Sequence, residues 1–295
     1  MRQRLASCNS TVEMRELISS IDNYGAFISA PKGMEVIPTK FANISCDWVN
    51  MPQSSGNKII LYFHGGGFCF RSPKIHGAFL ARLANAAKSR GLMVNYSLAP
   101  ENPYPKAPDE CFAVYRALLM HGYLPHQIVF AGDSAGGNLV LTTLLRLRNA
   151  NLPLPAGAIM MSPVSDMAVT GESAFTKCKD DPFFDLSTLL LMRNNYIGNH
   201  NPCDPDISPY YAKHHDLPPV FITAGTEELL MDDSIRLAER IGESGGDVSI
   251  NVVKGVPHVY PLFYQLSEAR DATKLMANFI LERYKEAKSI QKKAS

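Results

Sequence analysis

Short apolar runs alternate along the chain with segments of helical periodicity. Seven runs have the length and residue types of buried strands: 45–49, 59–63, 92–96, 127–131, 157–161, 219–224 and 248–253. Helical patterns lie between many of them, at about 76–90, 108–121, 136–150, 233–244 and 266–285. Alternation of this kind is typical of a mostly parallel sheet with helices on both faces. The predicted fold class is therefore α/β.

Two stretches interrupt this alternation. Residues 1–40 carry a helical pattern over 12–21, which is followed by predicted loop. Residues 180–216 carry a helical pattern over 187–197, followed by a segment rich in Pro, Asp and Asn. The pattern alone is compatible with decoration of the surface of the α/β core.

A serine stands at the junction between a predicted strand and a predicted helix. The segment from Gly132 to Gly136 reads Gly-Asp-Ser-Ala-Gly, with Ser134 at its centre. Alone, this pentapeptide also fits a glycine-rich turn whose serine caps the helix. Between a strand and a helix it predicts a nucleophile elbow, in which small flanking residues let the two elements pass closely.

A second motif follows the run at 59–63. Residues 64–67 read His-Gly-Gly-Gly, the loop that accompanies such an elbow in lipases and esterases. Attack on an ester carbonyl creates an oxyanion that needs fixed donors, and glycines let backbone N–H groups approach it. The expected donors are the N–H groups of Gly66, Gly67 and Ala135, with Gly65 an alternative for one of the glycines.

Further signatures accompany these two motifs. They are Tyr-Ser-Leu-Ala-Pro-Glu-Asn-Pro-Tyr-Pro at 96–105, Ser-Pro-Val-Ser-Asp at 162–166 and Asp-Ile-Ser-Pro at 206–209. From the loop at 64–67 to the last helix, the chain resembles the hormone-sensitive-lipase branch of the α/β-hydrolases, the bacterial type IV esterases. It departs from the family at Ser97, where arginine is usual, and at Val164, where tryptophan is common.

The resemblance implies an organisation and an activity. It implies an α/β-hydrolase core made of 41–179 and 217–295, with 1–40 and 180–216 forming a helical cap over the active site. It also implies a serine carboxylesterase that hydrolyses short- to medium-chain carboxylic esters without a metal or organic cofactor. Hydrolysis of amides or lactones by the same residues stays open.

The order serine, acid, histidine along such chains identifies the remaining catalytic candidates. His258 follows the last predicted strand and matches the family's Pro-His-x-aromatic pattern. In the loop after the run at 219–224, aligning Leu230 with the family's Asp-Pro-Leu-x-Asp motif places Glu228 at the catalytic acid. Asp232 is the alternative acid, and it otherwise aligns with a helix-starting aspartate.

Other motif residues are expected to play supporting roles. Asp133 is expected to hold the elbow, Glu101 to brace the region of the glycine loop, and His64 to support that loop without transferring protons. Phe68, next to the glycines, is the aromatic residue expected to form a wall of the substrate pocket. Cys69 is expected to be a small buried side chain.

Composition narrows the alternatives. The net charge is +1 without a basic cluster, so no nucleic-acid partner is expected. No apolar run reaches the length of a membrane span, and no signal peptide is evident. The six scattered cysteines lack metal-ligand spacing and fit a cytoplasmic protein with reduced thiols. Family members often dimerise through a sheet edge, so the chain is, by analogy alone, a candidate homodimer.

A binding protein is the rival class. The gibberellin receptors of plants resemble the same branch but have lost the catalytic histidine and bind a small ligand under a cap. Because His258 is present here, an enzyme that acts on a small-molecule ester is favoured. A C–C hydrolase or dehalogenase is disfavoured, because those sites do not carry this glycine loop.

Overall fold

The computed structural model describes residues 2–8, 10–25, 30–54 and 56–294. Within these ranges, eight strands form one sheet in the order β1-β2-β4-β3-β5-β6-β7-β8. The strands are β1 Glu35–Phe41, β2 Ile44–Asn50, β3 Ile59–Phe63, β4 Arg90–Val94, β5 Ile128–Asp133, β6 Gly157–Met161, β7 Val220–Glu227 and β8 Val248–Pro257. Strand β2 pairs antiparallel with β1 and β4, and the remaining pairs are parallel. The predicted mostly parallel α/β fold is confirmed.

Helices connect the strands and cover the sheet. They are α1 Arg2–Ala6, α2 Thr11–Gly25, α3 Pro73–Ala86, α4 Lys106–Met120, α5 Ala135–Asn149, α6 Ser173–Thr176, α7 Leu186–Ile197, α8 Met231–Glu243 and α9 Ser267–Ala294. In the part of the chain that the structure describes, none of them is long and apolar enough to cross a membrane.

The central strands are buried on both faces, which explains their continuous apolar runs. In β3, Ile59, Leu61 and Phe63 pack on one face with α4, α5 and α8. Ile60 and Tyr62 pack on the other face with α3 and α9. Since each fully buried large apolar side chain stabilises the fold by about 1.5–3 kcal/mol, these two layers are the main stabilising element of the core.

The prediction of loop before residue 41 was wrong for the last part of that segment. Residues 35–41 form β1, the antiparallel strand at one edge of the sheet. Val36 and Ile37 are exposed there, so the alternation that marks a half-buried strand is absent. Pro38 has no N–H to donate, which is tolerated at an edge. The core sheet therefore begins at Glu35, inside the segment assigned to the cap.

The parallel strands carry the candidate site. Strands β3, β5, β7 and β8 run in the same direction, so their carboxyl ends lie at one edge of the sheet. The glycine loop follows β3, Ser134 follows β5, and Glu228 follows β7. His258 comes directly after β8. Ligands bind at this edge in α/β sheets.

Candidate active site

Ser134 occupies a strained turn between β5 and α5. Its backbone has φ 52° and ψ −118°, a combination of angles that residues other than glycine rarely adopt. A Cβ on Gly136 would overlap the carbonyl oxygen of Phe63, and one on Gly132 would overlap the carbonyl oxygen of Gly136. The hydroxyl of Ser134 makes no capping bond to α5. The geometry is therefore that of an elbow, not of a helix-capping serine.

His258 and Glu228 are in direct contact. Nδ1 of His258 donates a hydrogen bond to Oε2 of Glu228, and both side chains are buried. Nε2 of His258 has no hydrogen-bond partner among the described residues. His258 and Ser134 line the same cavity. One imidazole nitrogen is thus held by a carboxylate, while the other remains available at the cavity of the serine.

The second oxygen of Glu228 is also bound. Oε1 accepts hydrogen bonds from Oγ of Ser162 at 3.0 Å and from the N–H of Gly225 at 2.8 Å. Oγ of Ser162 in turn accepts the N–H of Val259 at 3.1 Å. Ser162 therefore ties the loop that carries the acid to the residue after His258. In the sequence, Ser162 is distinguished only as the first residue of the Ser-Pro-Val-Ser-Asp signature.

The other carboxylates of the same loop point elsewhere. Asp232, at the start of α8, accepts the N–H of Ser173 at 2.8 Å, and its own N–H donates to Oγ of Ser173 at 3.0 Å. It thereby links α8 to α6. Glu227 is half-buried and accepts a hydrogen bond from Thr226. Of these loop carboxylates, Glu228 is the one that contacts His258.

The charges around His258 favour its protonated form. Burial alone would lower its pKa, but the charge and the hydrogen bond of Glu228, together with the charges of Asp181 and Asp133, outweigh burial and raise the pKa of His258 above its ordinary value. Such an imidazole is a stronger base than a free histidine. It still loses its proton as the pH rises, so it can accept one in a reaction.

The glycine loop presents free donors beside Ser134. The N–H of Gly65 donates to Oδ1 of Asp133 at 2.8 Å, which removes Gly65 from the candidate donors. In the described part of the chain, no acceptor takes the N–H of Gly66 or Gly67. Ala135 begins α5, where the helix leaves its first N–H groups without partners.

Asp133 and its neighbours stabilise this loop through buried polar contacts. Oδ1 of Asp133 also accepts the hydroxyl of Tyr62, and Oδ2 lies 3.4 Å from Nε2 of His76. Burial opposes ionisation of Asp133, but His76 and these hydrogen bonds keep its pKa below the usual range. Burial, assisted by His76, lowers the pKa of His64 to about 3, so His64 is neutral. Its Nδ1 lies 2.7 Å from the carbonyl oxygen of Gly65.

Two cavities meet at Ser134. The larger, of about 120 Å³, has a mainly apolar wall. That wall includes Leu5, Ile18, Ile21, Phe183, Phe184 and Phe263. The smaller, of about 20 Å³, is lined by Phe68, Val164, Leu189 and Met192. Phe68 is buried and stacks on Tyr196 with ring centroids 3.6 Å apart. Phe68 was the wall residue expected from the sequence. The other wall residues were not singled out, because most aromatic residues are core residues and isolated apolar residues carry no signal of which cavity they will face.

Arg15 connects α2 to the glycine-loop region. Its guanidinium binds both oxygens of Glu101 at 2.7 Å. It also donates to the carbonyl oxygens of Cys69 and Ala99, both at 2.7 Å. Glu101, expected to brace the region of the glycine loop, is thus linked to that region by Arg15. Burial raises the pKa of Cys69 to about 12, so this thiol stays protonated at neutral pH.

Comparison with known proteins identifies the family. A family model described as alpha/beta hydrolase fold matches residues 60–262. The chain belongs to the α/β-hydrolase family. It is 33% identical to an esterase of Acinetobacter venetianus over 248 residues, which cover 83% of this chain and 82% of that protein.

Two further relatives agree with this esterase. An acetyl-hydrolase of Streptomyces hygroscopicus is 33% identical over 80% of this chain and 79% of its own length. The crystal structure of an esterase from the bacterial hormone-sensitive lipase family superposes with a TM-score of 0.91 at 33% identity, over 95% of both chains. The chain is a hormone-sensitive-lipase-like carboxylic-ester hydrolase, as its motifs predicted, and the rival class of binding protein is set aside.

Proposed function

We propose that this esterase hydrolyses short- to medium-chain carboxylic esters through an acyl-enzyme on Ser134. His258 is the general base and Glu228 orients it. The observation that carries the proposal is the state of His258: Nδ1 is bound to Glu228, while Nε2 is unpartnered among the described residues at the cavity that Ser134 lines. That is the arrangement a serine hydrolase needs.

The reaction follows from these contacts. As the Ser134 oxygen attacks the acyl carbonyl carbon, Nε2 of His258 takes the hydroxyl proton, and Glu228 stabilises the imidazolium. The N–H groups of Gly66, Gly67 and Ala135 stabilise the carbonyl oxygen as it becomes an oxyanion. The intermediate then expels the alcohol, which receives the proton from His258.

Water completes the cycle. His258 removes a proton from water as the water oxygen attacks the acyl-enzyme. Collapse of the second tetrahedral intermediate releases the carboxylic acid and returns the proton to Ser134. Substitution of the Glu228 carboxylate would impair both half-reactions, because His258 changes its protonation state in each.

The cavities support the proposed substrate size. An apolar wall binds hydrocarbon, and a cavity of about 120 Å³ suits a short or medium chain better than a long one. The name of the Streptomyces relative, an acetyl-hydrolase, points in the same direction. We therefore place the preferred acyl groups between acetyl and medium chain length.

We also propose that the residues before β1, together with 180–216, act as a cap over the site. The N-terminal helices contribute Leu5, Ile18 and Ile21 to the larger cavity, and the second stretch contributes Phe184 to both cavities. Apolar side chains from both stretches thus cover Ser134. A cover of this kind excludes water and strengthens the electrostatic contacts in the site.

The test uses purified full-length protein and p-nitrophenyl esters of increasing chain length. Ser134→Ala should abolish turnover, apart from a remaining rate that exceeds the uncatalysed reaction in water by about 10³-fold. Ser244→Ala, which removes an exposed hydroxyl at the end of α8, is the matched control and should behave as wild type. An organophosphonate should label Ser134 of the wild type. Wild-type activity in Ser134→Ala, or labelling of another residue, would overturn the proposal.

A further inference from the structure

A buried carboxylate outside the proposed catalytic group joins two parts of the site. Asp181 is 1% exposed and lies between α6 and α7. Its Oδ2 accepts the N–H of Leu229 at 3.0 Å. Its Oδ1 accepts the N–H groups of Phe183 at 2.7 Å and Phe184 at 3.1 Å. One side chain therefore holds a core loop and a stretch of the cavity wall together.

Both of these contacts end next to the acid–histidine pair. Leu229 directly follows Glu228, so its N–H belongs to the loop that carries the acid. The ring of Phe184 lies 5.1 Å from the ring of His258, centroid to centroid, at an interplanar angle of 74°. A shift of Asp181 would thus displace Glu228 through Leu229. It would also change the contact between the rings of Phe184 and His258.

The choice of a carboxylate here is informative. Within the described residues, Asp181 forms no ion pair, and burial of an unpaired charge is costly. An asparagine would avoid that cost, and it also caps turns well. However, its side chain has one acceptor atom, whereas the N–H groups of Leu229, Phe183 and Phe184 approach two different oxygens of Asp181.

The charge of Asp181 also acts on His258. Burial lowers the pKa of His258, Glu228 raises it most strongly, and Asp181 and then Asp133 raise it further. The imidazolium forms when His258 takes the proton of Ser134. A second buried negative charge therefore favours the state that the transition state approaches.

The N-terminal helix fixes the segment around Asp181. The N–H of Arg2 donates to the carbonyl oxygen of Pro182 at 2.9 Å. Its guanidinium donates to the carbonyl oxygens of Cys178 at 2.9 Å and Lys179 at 2.6 Å. The acceptors of these bonds are backbone carbonyl oxygens. Both carboxylate oxygens of Asp181 therefore remain available for the contacts described above.

We propose that Asp181 is a positioning residue for ester hydrolysis. It fixes the position of the loop that carries Glu228 relative to the cavity wall at Phe184. Its negative charge stabilises the imidazolium of His258. This inference rests on the proposed function, because it assumes that His258 is the general base.

The experiment measures kcat, KM and the pH dependence of kcat/KM for variants of the full chain. Asp181→Asn should lower kcat by roughly 10- to 100-fold, with a smaller change in KM, because small displacements of catalytic groups cost that much. The acid limb of kcat/KM should move to lower pH, since loss of the charge lowers the pKa of His258. Asp180→Asn, which changes an exposed carboxylate one residue away, is the matched control and should leave all three unchanged.

Asp181→Glu separates charge from geometry and carries the test alone if Asp181→Asn does not fold. It should keep the acid limb near its wild-type position while kcat falls, because the charge stays and the reach changes. A folded Asp181→Asn with wild-type kcat and acid limb would overturn the inference. So would an acid limb in Asp181→Glu that moves to lower pH. His258→Ala is measured in parallel: full activity there would sink the proposed function, whereas an inactive His258→Ala beside a normal Asp181→Asn would sink only this inference.

Discussion

At the scale of single residues, the choice of acid is the sharpest question that the site poses. The loop after β7 offers several carboxylates within a few positions, and their chemistry is nearly the same. Glu228 receives hydrogen bonds from His258, Ser162 and Gly225, whereas Asp232 is engaged with Ser173 of α6. The two acids therefore differ in what they touch, and kinetics should separate them.

We predict that Glu228→Gln loses far more activity than Asp232→Asn. Removal of the acid from a comparable site in a well-studied protease costs about 10⁴-fold in kcat, because the histidine loses its tautomer and orientation. Asparagine at position 232 retains an oxygen that can accept the N–H of Ser173, so that variant should stay within severalfold of wild type. Steady-state kinetics on folded variants measures the difference. A larger loss in Asp232→Asn would move the acid to Asp232.

Glu228→Gln should also change the pH dependence of activity. The charge and hydrogen bond of Glu228 raise the pKa of His258 against the effect of burial. In the proposed mechanism neutral His258 is the active form, so activity should be lost as the pH falls below its pKa. In Glu228→Gln the acid limb of the remaining activity should therefore lie at lower pH than in wild type.

At the scale of secondary-structure elements, the elbow depends on how closely α5 approaches β3 and β5. Glycine is needed at position 136 because any Cβ there would overlap the backbone oxygen of Phe63. Backbone atoms in a buried sheet cannot move aside as a flexible side chain does. The local motif and the packing of the whole sheet thus impose the same requirement.

We predict that Gly136→Ala lowers the free energy of unfolding by at least about 1–3 kcal/mol, the usual cost of overpacking. Gly56→Ala is the control, because among the described residues, apart from its chain neighbours, no atom lies within 4 Å of a Cβ placed there. Thermal melting of both variants beside wild type checks the prediction. Equal melting temperatures in Gly136→Ala and Gly56→Ala would show that α5 can shift without cost.

At the scale of the whole molecule, the N-terminal helices are joined to the site by side chains that are distant in sequence. Arg15 reaches the loops around Cys69 and Glu101, and Arg2 binds the segment before α7. Leu5 and Ile18 complete the wall of the larger cavity. The N-terminus is thus part of the pocket although it lies outside the α/β alternation.

We predict that deletion of residues 1–25 impairs ester turnover more than it impairs folding of the core. The deletion opens the larger cavity to water, so KM should rise and kcat should fall. Arg15→Ala keeps the helices but removes their bonds to Glu101, Cys69 and Ala99, and it should have a smaller effect of the same kind. Kinetics and circular dichroism on both proteins provide the measurement. Wild-type turnover in the truncated protein would make the N-terminal helices surface decoration.

The sequence by itself determined the features that depend on neighbouring residues. Strand β5, the elbow at Ser134 and α5 follow one another within a few residues, and the small side chains that their geometry requires are visible as a motif. The glycine loop after β3 is local in the same sense. Buried central strands are also recognisable in the sequence as continuous apolar runs, because both of their faces must be apolar.

Only the tertiary structure decided which distant groups meet. Asp181 and Leu229 are 48 positions apart, and Ser162 and Glu228 are 66 apart, yet they share hydrogen bonds. Strand β1 was missed because two of its apolar residues, Val36 and Ile37, face solvent at a sheet edge. These outcomes depend on how strands and loops pack, and a carboxylate or an isolated apolar residue looks alike in sequence whether it reaches His258, caps a turn or faces water.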